Sequence, residues 1–87
     1  MEKEVTVMNT LGLHARPASM LAKCASKYSS EIMINKSGGI TNCKSILGIM
    51  TLSAGKGTVL TVSAEGDDAE IAINDIVNLF ESKFDEE

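Results

Sequence analysis

Apolar and polar residues alternate in four short stretches of the chain, and this alternation predicts β-strands. The first stretch contains Val5 and Val7, and Leu11 continues its pattern. The second contains Ile32 and Ile34, and the glycine-containing turn after it favours a hairpin with the third. The predicted strands cover about residues 2–8, 31–35, 40–43 and 58–65. Their apolar residues fall on one side, so we expect a sheet with one buried face.

Two further stretches have apolar residues three and four positions apart, which predicts amphipathic helices. They cover about residues 16–28 and 69–83, and a helix of one or two turns is expected after Ser45, whose hydroxyl suits an N-cap. The residues predicted to face the core are Ala18, Leu21, Ala22 and Ala25 in the first helix and Ala69, Ala72, Ile73, Ile76, Leu79 and Phe80 in the last. Met20, Lys23 and Lys27 lie off the buried face and are expected to be at least partly exposed.

The order of these elements, β-α-β-β-α-β-α, predicts an α+β fold. We expect a four-stranded antiparallel sheet with three helices on one face, an open-faced β-sandwich. With 87 residues the chain is short enough for a single domain over residues 1–87.

Charge and cysteine content exclude several classes of function. The formal net charge is −4, which argues against nucleic acid as the main partner because neutralising phosphates requires a basic face. Cys24 and Cys43 lack the spacing of metal ligands, so we expect reduced thiols, no metal site and no cofactor, and the sequence assigns neither cysteine a role. No signal peptide or membrane-spanning stretch is evident, which predicts a cytoplasmic protein without membrane insertion.

One segment concentrates the unusual residues of the chain. His14, Arg16 and Pro17 are its only histidine, its only arginine and its only proline. Proline has no N–H to donate and fits the first turn of a helix, so His14 is expected at a helix N-terminus. Unpaired amides and the positive end of the helix dipole favour an anion there.

Three other interpretations of His14 remain open at this stage. It could be a structural histidine, a general base or a metal ligand. A triad needs an orienting carboxylate, and none lies near His14 in the sequence, so the fold would have to supply it. A metal site needs three or more ligands. Carrying a phosphoryl group needs less, namely an imidazole nitrogen, a cation and backbone donors, and we favour it.

Two motifs resemble those of a known family. Residues 12–18, Gly-Leu-His-Ala-Arg-Pro-Ala, resemble the active-site signature of HPr, the histidine phosphocarrier family of the bacterial phosphotransferase system. Residues 44–50, Lys-Ser-Ile-Leu-Gly-Ile-Met, resemble the family's second signature around a regulatory serine. The resemblance covers nearly the whole chain, including its length and element order.

The resemblance implies that His14 accepts a phosphoryl group from phosphorylated enzyme I and passes it to a IIA component. In the family the phosphoryl group is carried on Nδ1, and Arg16 is expected to help neutralise it. Such a protein is a phosphorylated intermediate with no turnover of its own, and we expect it to be a monomer.

The resemblance also implies a switch and a docking patch. Ser45 is either an N-cap only or also the target of an HPr kinase/phosphorylase, with a transcriptional regulator as a further partner. Leu47 and Met50, with Met20, are expected to form an apolar patch for partners, because methionine adapts to several surfaces. Lys23 and Lys27 would form a basic rim around it.

Two alternatives to a sugar-transport carrier stay open. The C-terminal residues 79–87 resemble the nitrogen-related branch of the family as much as the sugar branch, so the output could be control of other proteins. A protein-binding module in which His14 is never modified is the second alternative.

Overall fold

The computed structural model describes residues 1–86 and confirms the predicted order of strands and helices. The strands are β1 (Glu2–Thr6), β2 (Glu31–Lys36), β3 (Gly39–Asn42) and β4 (Val59–Glu65). The helices are α1 (Ala15–Ser26), α2 (Ile46–Thr51) and α3 (Ala69–Glu81), and a single tight turn follows at Lys83–Asp85.

The strands form one antiparallel sheet in the order β1-β4-β2-β3. Val5 lies opposite Leu60, Ile34 lies opposite Val62, and all four are buried. The strand neighbours of these buried residues point to the other face of the sheet, because side chains alternate along a strand. The three helices lie on the buried face, so the predicted open-faced architecture is confirmed.

The inner faces of the long helices largely match the expected positions. In α1 the four predicted residues are buried, and Pro17 joins them. In α3 the buried residues are Ala72, Ile73, Ile76 and Phe80, whereas Ala69 and Leu79 are only half-buried. Phe80, together with Phe84 just beyond the helix, adds two aromatic rings to a mainly aliphatic core.

The first strand is shorter than predicted, and Leu11 is not one of its buried residues. β1 ends at Thr6, and Leu11 is 72% exposed. The chain turns just after Thr10 and enters Gly12 with φ at 68°, so the strand alternation cannot continue through this region.

The last helix also ends earlier than the predicted residue 83. It stops at Glu81, because Lys83, Phe84 and Asp85 all adopt left-handed backbone conformations, with φ of 55°, 54° and 59°. The helical pattern of residues 69–83 gave no sign of this reversal. The reversal brings Glu86 to the start of α1.

Hydrogen bonds at its start and middle hold α3 in place. The Asp68 carboxylate accepts from the backbone amides of Ser29 and Ser30 at 2.9 and 3.0 Å, and from the Ser30 hydroxyl. Asp75 accepts from the hydroxyl of Tyr28, which raises the pKa of Tyr28 to about 12. These bonds fasten α3 to the segment between α1 and β2.

Candidate functional site

The loop that carries His14 is pinned to the body of the protein. The side-chain amide of Asn9, itself fully buried, donates to the carbonyl of Gly12 at 2.7 Å. The backbone amide of Leu13 donates to the carbonyl of Ala54 at 2.9 Å, and the Leu13 side chain enters the core. His14, the next residue, is therefore held at a fixed place on the surface.

His14 is the N-cap residue of α1, as the position of Pro17 predicted. Its backbone is extended, with φ −77° and ψ −170°, and its side chain makes no capping hydrogen bond. The amides of Ala15 and Arg16 in the first turn have no partner inside the helix. The His14 side chain is 35% exposed, so part of the imidazole is accessible at this helix start.

A carboxylate from the opposite end of the chain completes this site. Glu86 Oε1 lies 2.9 Å from His14 Nε2 and accepts from Asn9 Nδ2, also at 2.9 Å. Glu86 Oε2 accepts from Arg16 Nη1 at 2.9 Å. The same Nη1 donates to the backbone carbonyl of Phe84 at 2.7 Å. Three polar side chains from the His14 region thus converge on one acidic side chain.

These contacts change the acidity of the carboxyl group. Hydrogen bonds from His14, Asn9 and Arg16 stabilise the ionised form and hold the pKa of Glu86 below its ordinary value of 4.5. Glu86 is therefore a carboxylate at neutral pH, and it can only accept hydrogen bonds.

The segment around Ser45 has the predicted capping geometry. The Ser45 hydroxyl accepts from the backbone amide of Gly48 at 2.9 Å and so caps α2. Ile49 is the buried residue of this short helix, while Ile46 and Leu47 are exposed. α2 packs against α1, which brings the two sequence motifs to the same side of the fold.

The side chains predicted to form a docking patch lie on these two neighbouring helices. Leu47 is 76% exposed and Met50 is 40% exposed on α2, whereas Met20 on α1 is half-buried against the core. Lys23 and Lys27 are exposed on α1, and Lys27 Nζ lies 3.9 Å from a carboxylate oxygen of Asp75 on α3.

Sequence reasoning missed Asn9, Phe84 and Glu86. The acidic C-terminus was visible as a charge cluster, and the region around His14 lacks any carboxylate of its own. That complementarity was the only available signal. The separation of 70 positions from Arg16 to Glu86 hid the pairing, because distance along the sequence does not tell which surface a distant residue reaches.

Two classes of feature are not found in residues 1–86. No three potential ligand side chains come together there as a metal site. Each helix in these residues is too short or too polar to span a bilayer.

Comparisons with known proteins identify close relatives over the full length of the chain. The family model described as the PTS HPr component phosphorylation site matches residues 1–82. The phosphocarrier protein HPr of Xylella fastidiosa is 41% identical over 87 residues, which cover 100% of this chain and 98% of that protein. The phosphocarrier protein NPr of Shewanella violacea is 41% identical over 86 residues, covering 99% and 94%.

A solved structure shows the same fold. The crystal structure of HPr-C-His from Thermoanaerobacter tengcongensis superimposes with a TM-score of 0.96 at 49% sequence identity. The match covers 100% of this chain and 98% of that one.

Proposed function

Because the chain belongs to the HPr family of phosphocarriers, we propose that His14 accepts a phosphoryl group from phospho-enzyme I and passes it to a IIA component of the phosphotransferase system. The observation that carries this proposal is the partly exposed imidazole of His14 at the start of α1, which contacts the same carboxylate as the Arg16 guanidinium. We place the protein in the cytoplasm, where phosphoenolpyruvate supplies the phosphoryl group, and expect it to act as a monomer.

The transfer is an exchange of one P–N bond for another. The lone pair of His14 Nδ1 attacks phosphorus, a new P–N bond forms, and the bond to the donor histidine breaks with its electron pair returning to the donor nitrogen. The second transfer, to the IIA histidine, repeats these steps with His14 as the leaving group. No oxidant, metal or net proton is needed.

Arg16 has N–H groups available for the transferred group. A guanidinium has five N–H donors, and the contacts with Phe84 and Glu86 both use Nη1. The remaining donors, with the amides at the start of α1, can stabilise the phosphoryl oxygens as negative charge develops on them. We assign Arg16 this role.

We assign partner docking to Met20, Leu47 and Met50, with Lys23 and Lys27 as the basic rim. The support is the exposure of Leu47 and Met50 on a helix that packs against α1. Exposed apolar side chains on α2 suit an apolar partner surface, and the exposed lysines of α1 suit an acidic one.

We further propose that Ser45 is a regulatory phosphorylation site for an HPr kinase/phosphorylase, with a transcriptional regulator among the proteins that recognise the product. A phosphoryl group on Ser45 would add about two negative charges beside the docking residues of α2. Loss of partner binding would follow from charge repulsion with acidic partner surfaces. Acid-stable phosphate should appear on the parent and not on Ser45→Ala after incubation with the kinase and ATP; its absence from both would count against this role.

A nitrogen-branch carrier is the second candidate function. It is supported by the NPr relative, which is as similar in sequence as the Xylella fastidiosa HPr. Transfer from phosphorylated protein to purified IIA components of the sugar and nitrogen branches distinguishes the two, because the cognate branch should accept the group faster.

The experiment that tests the carrier role is incubation with enzyme I and labelled phosphoenolpyruvate. Acid-labile, base-stable label should appear on the parent protein and be absent from His14→Ala. If neither protein is labelled, while a known carrier in the same reaction is, the proposal is wrong and the binding-module alternative stands.

A further inference from the structure

We propose that Glu86 is a positioning residue of the phosphoryl-transfer site, which accepts the Nε2–H of His14 and thereby leaves the lone pair on Nδ1 for attack on phosphorus. The inference rests on the proposed function and adds to it a residue from the far end of the chain. The family model matches residues 1–82, so Glu86 lies outside the matched segment.

The contact with Glu86 fixes the position of a proton on the His14 ring. Glu86 is ionised at neutral pH and has acceptor oxygens only, so the 2.9 Å contact with His14 Nε2 requires a hydrogen on Nε2. A neutral imidazole carries one N–H, and Nδ1 is then the nitrogen with the lone pair. The contact therefore selects the tautomer in which Nδ1 is the nucleophile.

The Glu86 carboxylate is also held in place independently of His14. Asn9, fully buried, donates to Glu86 Oε1, and Arg16 donates to Oε2. The Glu86 side chain is 20% exposed, which limits competition from water. A carboxylate with three separate donors keeps its orientation better than one held by the imidazole alone.

The backbone just before Glu86 has an unusual conformation. The three consecutive left-handed residues 83–85 are unfavourable for L-amino acids and persist only when their surroundings stabilise them. Two contacts do so. The Phe84 ring is fully buried, with its centroid 5.1 Å from that of Phe80 in an edge-to-face arrangement, and the Phe84 carbonyl accepts from Arg16. Strain of this kind beside a candidate reactive residue is typical of a functional constraint.

The Glu86 carboxylate would also stabilise phosphorylated His14. When Nδ1 forms the P–N bond and Nε2 keeps its hydrogen, the ring carries a positive charge. The Glu86 carboxylate lies against Nε2–H and stabilises that charge, as the aspartate does for the imidazolium of a catalytic triad. Glu86 thus favours both selection of the nucleophile and formation of the phosphohistidine.

The test compares the parent with Glu86→Gln, Glu86→Ala and the control Glu81→Gln, which removes the same charge from an exposed residue at the end of α3. ¹⁵N NMR of the imidazole reports the tautomer. In the parent and the control, neutral His14 should carry its hydrogen on Nε2. In both Glu86 variants the ring shifts should move toward a mixture, because an amide holds the N–H more weakly and alanine does not hold it.

Transfer kinetics provide the second readout. With phospho-enzyme I as donor, kcat should fall about threefold to tenfold in both Glu86 variants, as expected for loss of a charge-assisted hydrogen bond, and KM should stay within about twofold. Backbone amide spectra verify that each variant is folded.

Three results would overturn the proposal: unchanged ring shifts, unchanged kcat, or a change in KM alone, which would make Glu86 a partner contact. All three still require a labelled parent protein. Absence of label on the parent is a different failure, that of the carrier function itself.

Discussion

At the scale of single residues, the position of His14 depends on neighbours that have no charge. Gly12 adopts a positive φ of 68°, and a Cβ there would overlap the carbonyl oxygen of Ala54 and lie 2.8 Å from the Cα of Gly55. Leu13 bonds to that same carbonyl of Ala54. The close approach of the backbone at Gly12 to the backbone at Ala54 therefore sets where α1 begins, and with it the position of His14.

Gly12→Ala should disturb both stability and phosphorylation. Gly38→Ala is the matched control, since Gly38 also has a positive φ, 92°, but open space around its Cβ position. The control should lose about 1–2 kcal/mol of unfolding free energy from the left-handed conformation. Gly12→Ala should lose at least about 1 kcal/mol more, because backbone at Ala54 must shift.

Urea unfolding measures the difference in stability, and labelling by phospho-enzyme I measures the site. Slower labelling is expected for Gly12→Ala only. Equal stability of the two variants would mean that the approach to Ala54 is not a constraint.

At the scale of elements, α2 combines a structural cap with an exposed apolar surface. Ser45 caps the N-terminus of α2 by accepting from the amide of Gly48, and Ile49 anchors the helix in the core. Leu47 contributes little to that core at 76% exposure. Stability and docking should therefore be separable within a helix of six residues.

Ser45→Ala should lower the free energy of unfolding by about 1 kcal/mol through loss of the N-cap. The control is Ser26→Ala at the exposed end of α1, which should change stability by less than about 0.5 kcal/mol. Thermal or urea unfolding of the unphosphorylated proteins is the measurement. Indistinguishable variants would show that the cap does not stabilise α2.

Leu47→Ala should raise KM for transfer from phospho-enzyme I by about threefold to tenfold with stability unchanged, because an exposed apolar contact is lost only in the complex. Ile71→Ala on α3 is the control, with 63% exposure and no assigned docking role. The docking assignment fails if both variants have the parental KM.

At the scale of the whole molecule, two carboxylates join distant parts of the chain. Glu86 ties the segment after α3 to the start of α1, and Asp68 ties the start of α3 to the turn between α1 and β2. Hydrogen bonds lower the pKa of each, with Ser30 the main cause for Asp68 and His14 for Glu86.

These lowered pKa values predict a loss of stability in acid. Each carboxylate contributes fully above its ordinary value, 3.8 for Asp68 and 4.5 for Glu86, and the contribution disappears as the pH falls through the lowered folded-state value. Stability should therefore decline progressively once the pH falls below these ordinary values. Asp68→Asn and Glu86→Gln should each flatten this decline in urea unfolding. Parallel curves for parent and variants would contradict the assignment.

A structural feature could be predicted from the sequence where the residues that cause it lie close together along the chain. Ser45 and Pro17 reveal a helix start through their own chemistry, and the buried positions of α1 follow from a period of 3.6 residues. The end of α3 was misplaced because the left-handed turn at Lys83–Asp85 contains no glycine, so nothing local marks it. The burial of Phe84 against Phe80 stabilises it instead.

The sequence by itself determined the element order, the buried faces, and the place of His14 and Arg16 at the start of α1 as a candidate site, because each of these follows from patterns within a few residues. Only the tertiary structure decided that the pair faces a carboxylate. Glu86 reaches His14 because the packing of α3 and the buried Phe84 ring direct the segment after the helix across the fold. Such a contact depends on the summed geometry of all intervening elements, which no local pattern encodes.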